Sequence, residues 1–126
     1  MTDLEKPTVY VPPGEAPPGE LVTEDVEVGE GREAAAGDTV EVHYVGKAWS
    51  TRKEFDASWN RGDTFSFTLG AGKVIKGWDQ GVAGMKVGGR RRITIPPKLG
   101  YGKAGAGSAI RGGETLVFVV DLVSIS

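Results

Sequence analysis

Three stretches of this 126-residue chain bring together side chains able to line or edge a site. In Lys73-Val74-Ile75-Lys76-Gly77-Trp78, two β-branched residues lead into an indole. The spacing Ile75, Trp78, Val82 predicts an amphipathic helix of about two turns over residues 74–82. Trp78 falls on its buried face, either as plain core packing or as the floor of a pocket. In Phe55-Asp56 a carboxylate stands beside a phenyl ring, with Arg61 five residues on. A lone buried carboxylate is costly, so Arg61 is the nearest candidate partner, in a pair that staples the loop over residues 57–63, shapes a site, or does both. Tyr101 and Ile110 stand near the two ends of a glycine-rich loop over residues 98–114. They read as contact points on a movable flap or as ordinary anchors, and the loop lacks the Walker pattern of a phosphate cradle.

The residue types left out narrow the chemistry. With no cysteine and a single histidine, there is no material for a disulfide, a thiolate zinc site, a cysteine nucleophile or a histidine-rich metal centre. His43 lies opposite Val40, Val42 and Tyr44 in an alternating run. No serine or cysteine sits beside it in sequence to form a nucleophile and base, so it reads as a partly exposed strand residue. No metal and no cofactor are expected. The triplet Arg90-Arg91-Arg92 invites a nucleic-acid reading, but the net charge is −2 and no aromatic residues interleave. A solvated strand entrance is the expectation, with nucleic acid excluded as a main partner.

A two-turn helix is marginal alone, so a sheet must hold these side chains. Leu21-Val22 and Val26-Glu27-Val28 begin a strand-like alternation, and residues 39–46 alternate clearly. After a polar turn over residues 50–54, residues 64–70 place Phe65, Phe67 and Leu69 inward. The strand through Ile93 and Ile95 is ended by Pro96-Pro97. Residues 115–125 form a nearly continuous apolar run, the mark of a central strand. Four or five strands, one helix before the middle strand and one flap before the last leave too few helices to cover a parallel sheet. The fold class is therefore α+β, an antiparallel sheet wrapped on one short helix. A charged fraction of 25% and a hydrophobic fraction of 39% are ordinary for a soluble globular domain, and the length suits one core.

Residues 1–20 hold five of the seven prolines. They predict a mobile lead-in, with a docking tail, or a pseudo-substrate through Val11-Pro12 and Ala16-Pro17, as the functional alternatives. The acidic start lacks the apolar core of a secretory signal, and no apolar run approaches membrane length. A cytoplasmic protein with no membrane partner is expected.

From residue 21 to 126 the chain resembles the FKBP-type peptidyl-prolyl cis-trans isomerases, the macrolide-binding immunophilins. The resemblance rests, in order, on Val42-His43-Tyr44-Val45-Gly46, Phe55-Asp56-Ala57-Ser58, Phe65-Ser66-Phe67, Val74-Ile75-Lys76-Gly77-Trp78-Asp79, Gly81-Val82, Tyr101-Gly102 and Thr115-Leu116-Val117-Phe118. It implies a five-stranded antiparallel sheet curled around the short helix, in a domain over residues 21–126. It further implies catalytic roles for Tyr44, Phe55, Asp56, Tyr101 and Phe118, and substrate binding by Arg61, Phe65, Val74, Ile75, Trp78 and Ile110, with Trp78 as pocket floor. The Ile75 N–H and the Tyr101 hydroxyl would bond ligand carbonyls. Proline-containing polypeptides and macrolides are the implied partners of a monomeric folding catalyst. Departures gather in the flap, at Ala106, Ala109 and Arg111-Gly112, where many relatives carry histidine, isoleucine and a proline pair. They imply a more flexible, less apolar flap and alter peptide preference more than the reaction. The turn at Thr51-Arg52-Lys53 lacks the glycine often found there. A binding module using the same pocket with little catalysis is the competing reading, and a general chaperone ranks below both.

Overall fold

In the computed structural model, which describes residues 5–126, the alternation of Val40, Val42 and Tyr44 builds strand β2 (Thr39–Ala48) with those three side chains on one buried face. Around it lie β1 (Val22–Glu27), β3 (Glu54–Ala57), a 3-10 turn (Ser58–Arg61), β4 (Phe65–Thr68), helix α1 (Lys76–Val82), β5 (Arg90–Ile95) and β6 (Leu116–Ile125). All pairings are antiparallel, in the order β1-β5-β6-β2. β4 pairs Thr39 to Val42 of β2, and β3 pairs Val45 to Lys47 of the same strand. Six strands thus fill five rows, one more strand than the five expected, because the last row is broken into two pieces by the 3-10 turn and Gly62.

Helix α1 starts at Lys76, two residues later than the spacing suggested, because Ile75 is still extended at φ −58° and ψ 148°. Gly77 and Gly81 let it press against the sheet. A Cβ at Gly77 would come within 2.5 Å of Ile95, and one at Gly81 within 2.8 Å of Ile93. Arg91 donates to the Gly81 and Ala83 carbonyls at the end of the helix, where a cation also meets the negative pole of the helix dipole. Trp78 and Val82 enter the inner core with Val40, Val42, Ile93, Ile95, Leu116, Val120 and Leu122.

The outer face of the sheet is also covered. Val9 and Val11, at 1% and 4% exposure, are buried on Val45, Ala57, Val117 and Val119, with Trp49 and Trp59 packed against the cluster. The mobile lead-in expected for residues 1–20 is therefore, from residue 5 onward, a strap seated on the sheet; residues 1–4 lie outside the described residues. Burying two valines is what holds a segment otherwise poor in apolar side chains. The arginine triplet also differs from the solvated strand entrance expected, because its side chains are engaged by neighbouring strands and by the strap. Arg90 makes two hydrogen bonds to Asp121 (2.7 and 3.2 Å), Arg91 pairs with Asp25 (2.7 Å) and Arg92 donates to the Tyr10 carbonyl. Arg90 and Arg91 are thus paired with carboxylates, and all three guanidinium groups are engaged within the fold. Among the described residues no helix is long and apolar enough to cross a membrane.

Candidate functional site

Gly46 on β2 is the step at which the cleft opens. A Cβ there would stand 2.6 Å from the Phe55 ring and 2.7 Å from the Phe118 ring, so its lack of a side chain lets both rings lie over the strand. Phe118 comes from β6 and Phe55 from β3, and they meet edge to face at 5.4 Å. Trp78, carried by α1, stands perpendicular to Phe118 (5.3 Å, 88°) and nearly so to Tyr44 (4.9 Å, 77°) and Phe65 (5.9 Å, 75°). Such edge-to-face contacts fix ring orientation as well as burying area. The result is a cleft of about 230 Å³ lined by Tyr44, Phe55, Asp56, Phe65, Lys73, Val74, Ile75, Trp78, Tyr101 and Phe118.

One wall of the cleft is polar. The Tyr44 hydroxyl donates to Asp56 Oδ2 (2.6 Å), Arg61 Nη1 donates to Asp56 Oδ1 (2.7 Å), and Arg61 Nη2 donates to the Tyr44 oxygen (2.7 Å). Burial alone would raise the Asp56 carboxyl. The hydrogen bonds from Tyr44 and Arg61, with the guanidinium charge, outweigh it and hold the group below its ordinary value. The Tyr44 phenol is pushed up, first by burial and then by its bond to the carboxylate, with Arg61 opposing. Asp56 is thus a held carboxylate and Tyr44 a held phenol, neither poised to exchange protons near neutrality.

Nine of the eleven site residues expected from sequence line the cleft. Arg61 stands behind its edge, bonded to two residues that do. Ile110 is buried in the inner core cluster and does not line the cleft. Lys73 lines it and was missed; its place directly before Val74-Ile75 was the available signal. Tyr101, 41% exposed, stands at the mouth. Neither its hydroxyl nor the Ile75 N–H has a protein hydrogen-bond partner among the described residues. The flap closes on itself through Ala106 N–H to the Ile110 carbonyl (2.7 Å), the reverse bond (3.2 Å), and Gly113 N–H to the Gly102 carbonyl (2.9 Å). Glu114 then accepts from the Ser50 N–H (3.0 Å) and hydroxyl, tying the flap to the β2–β3 turn.

His43 does find a serine in space. Its Nδ1 lies 2.8 Å from Ser58 Oγ, but that oxygen is fully buried and also accepts the Tyr44 N–H (2.8 Å), on the face of the sheet away from the cleft. Such a serine fastens the 3-10 turn to β2. No group of three or more histidine, aspartate or glutamate side chains is placed to hold a metal among the described residues.

Residues 30–123 match the family model described as FKBP-type peptidyl-prolyl cis-trans isomerase. An FK506-binding protein of Streptomyces anulatus is 60% identical over 123 residues, covering 97% of this chain and 98% of that protein. A probable FK506-binding protein of Corynebacterium glutamicum is 52% identical over 121 residues, covering 96% and 99%. The crystal structure of AtFKBP13 superposes with a TM-score of 0.78 at 39% identity, covering 84% of this chain and 93% of that one.

Proposed function

Because this chain belongs to the FKBP-type peptidyl-prolyl cis-trans isomerase family, we propose that the cleft over Trp78 is where it accelerates rotation about X-Pro bonds, with residues 21–126 as the catalytic unit. The observation that carries this reading is the ring box around Trp78, edged by a carboxylate already satisfied by Tyr44 and Arg61. It favours chemistry that needs shape and polarity and no proton transfer.

Rotation about a peptide bond meets a barrier of about 18–20 kcal/mol. Bringing an exchange of tens of seconds down to milliseconds asks for roughly 5–7 kcal/mol. In the planar amide, resonance places negative charge on oxygen and positive charge on nitrogen; the twisted amide loses that separation. An apolar cleft therefore disfavours the planar form relative to the twisted one, and walls shaped to the turned prolyl ring add differential binding. In this reading Tyr44, Phe55, Phe65 and Phe118 are the walls and Trp78 the floor. The unbonded Ile75 N–H and Tyr101 hydroxyl hold the flanking carbonyls, Val74 completes the apolar rim, Asp56 and Arg61 fix the edge, and Ile110 acts from beneath the flap. Substrates are proline-containing segments of polypeptides. By likeness to relatives named for binding FK506, macrolides are ligands of the same cleft. A cytoplasmic location and a monomeric state belong to this reading and are tested by fractionation and sedimentation.

The deciding experiment is the cis-to-trans rate of a short Leu-Pro peptide. The wild-type chain should accelerate it strongly. Phe118→Tyr, which puts a hydroxyl into the apolar wall at a cost of about 1–3 kcal/mol, should lower kcat/KM by about tenfold or more. Trp78→Leu should weaken turnover and macrolide binding together, with the fold intact by circular dichroism. Saturable macrolide binding by a wild-type chain that does not accelerate the peptide would make this a binding module on an isomerase fold.

A further inference from the structure

The strap is held the way a peptide ligand is held. Residues 5–20 make no backbone-to-backbone hydrogen bond to the sheet, so the strap is not a seventh strand. Its carbonyls are gripped by side chains: Glu5 accepts from Arg90 Nη2 (2.9 Å), Tyr10 from the Arg92 guanidinium, and Glu15 from the Trp49 indole N–H (3.0 Å). Two alternate side chains, Val9 and Val11, drop into a trough of Val45, Ala57, Val117 and Val119, while Tyr10 between them points to solvent. Pro12 and Pro13 then line one depression together with Trp49. At the other end Lys6 reaches Glu54 (2.9 Å) and Asn60 (3.0 Å). Buried alternate side chains, carbonyls met by fixed donors and prolines sharing a depression with an indole are together the means by which extended and polyproline segments are recognised.

We propose that the outer face of the sheet is a second peptide-binding groove, separate from the isomerase cleft and occupied in cis by the chain's own N-terminal strap. Its foreign ligand would be a segment of another protein with the same chemistry: extended, with two β-branched residues at i and i+2 followed by a proline pair. The strap defines this specificity and also guards it. Tethered by residues 16–21, it competes at an effective concentration of roughly millimolar, so an outside segment enters only when the strap is unseated or when that segment exceeds this concentration. Because no residue of the strap lines the cleft, occupying the groove does not by itself block the cleft.

The test uses the full chain carrying Val9→Asp and Val11→Asp, which unseats the strap, titrated with a synthetic peptide of residues 5–18. The peptide should bind saturably and at least tenfold more tightly than to the wild type. Amide shifts should centre on Val45, Val117 and Val119 and spare Ile75 and Tyr101. A peptide with aspartate at both valine positions should not bind. No saturable binding, or shifts centred on the cleft, would overturn the proposal. A second measurement does not depend on that variant's folding: in isotope-labelled wild type, excess unlabelled peptide should drive the Val9 and Val11 amides to unstructured positions. If those signals stay fixed at millimolar peptide, the groove is a permanent core and not a binding site. If the chain instead dimerises by exchanging straps while remaining closed to the peptide, the groove is reserved for its own chain and the proposal fails.

Discussion

The charge on Asp56 is decided by two donors working against burial, and that contest gives a pH dependence with a definite sign. Its folded-state pKa is depressed, so its contribution to stability is present above the ordinary aspartate pKa of about 3.9 and is lost as pH falls through the depressed value. The Asp56 carboxyl carbon should titrate below the ordinary range, and Arg61→Ala should move that midpoint upward; an unmoved midpoint would dissociate the pair from the shift. Since Tyr44 is displaced upward, neither group changes charge between about pH 5 and 9. Together they should contribute no inflection to the turnover of an uncharged peptide across that range. A second residue-scale prediction concerns Arg52, which sits at φ +59°, the left-handed region. Relief of about 1–2 kcal/mol of strain, offset by the greater freedom of an unfolded glycine, gives Arg52→Gly a net gain of about 0.5–1 kcal/mol in urea unfolding. At this scale the Asp56–Arg61 pair was legible because its members lie five residues apart beside one loop. The Ser58–His43 bond was not, since it joins β2 to the 3-10 turn through a register that local sequence does not encode.

Helix α1 lies on β5 through two glycines, which makes it intolerant of even one added carbon. Gly77→Ala should gain about 0.5–1 kcal/mol of helix propensity and lose about 1–3 kcal/mol to overpacking against Ile95. The urea midpoint should therefore fall, and turnover with it, as Trp78 is lifted from its place beneath the cleft. An unchanged midpoint would mean that Ile95 yields freely. The elements themselves were readable where their pattern was undivided: β2 and β6 stand where alternation and a continuous apolar run put them, and the Trp78 helix does so apart from its first two residues. Where several forces shape one segment the reading failed in detail. The fifth row of the sheet splits because the 3-10 turn and Gly62 interrupt it, and short irregular pieces carry no period. The flap is fastened by its own hydrogen bonds and by Glu114 on Ser50, contacts set by chain geometry that composition does not display.

For the molecule as a whole, the strap changes what counts as the core. Val9→Ala with Val11→Ala removes buried carbon worth about 3 kcal/mol at roughly 0.8 kcal/mol per CH₂. A comparable loss in chemical unfolding is expected, although these residues precede the segment matched by the family model. Loss of less than about 1 kcal/mol would show that the outer trough does not need its cover. The sequence held a clue to this arrangement in β6: Leu116, Phe118 and Val120 face the helix, while Val117 and Val119 face outward and are just as buried. A strand apolar on both sides requires two coverings, and the single helix supplies one. The proline-rich composition of the segment that supplies the other pointed toward disorder, because two valines weigh little in an average over twenty residues. The position of β6 has another consequence, for synthesis. β6 pairs with both β2 and β5, yet it follows every other described strand in chain order, so a growing chain has open edges on two strands until β6 is made. The inner core, the cleft and the seat of the strap all wait for that event. Unpaired strand edges of this kind are the surfaces through which incompletely folded chains associate, and in this fold β6 is the element that covers them.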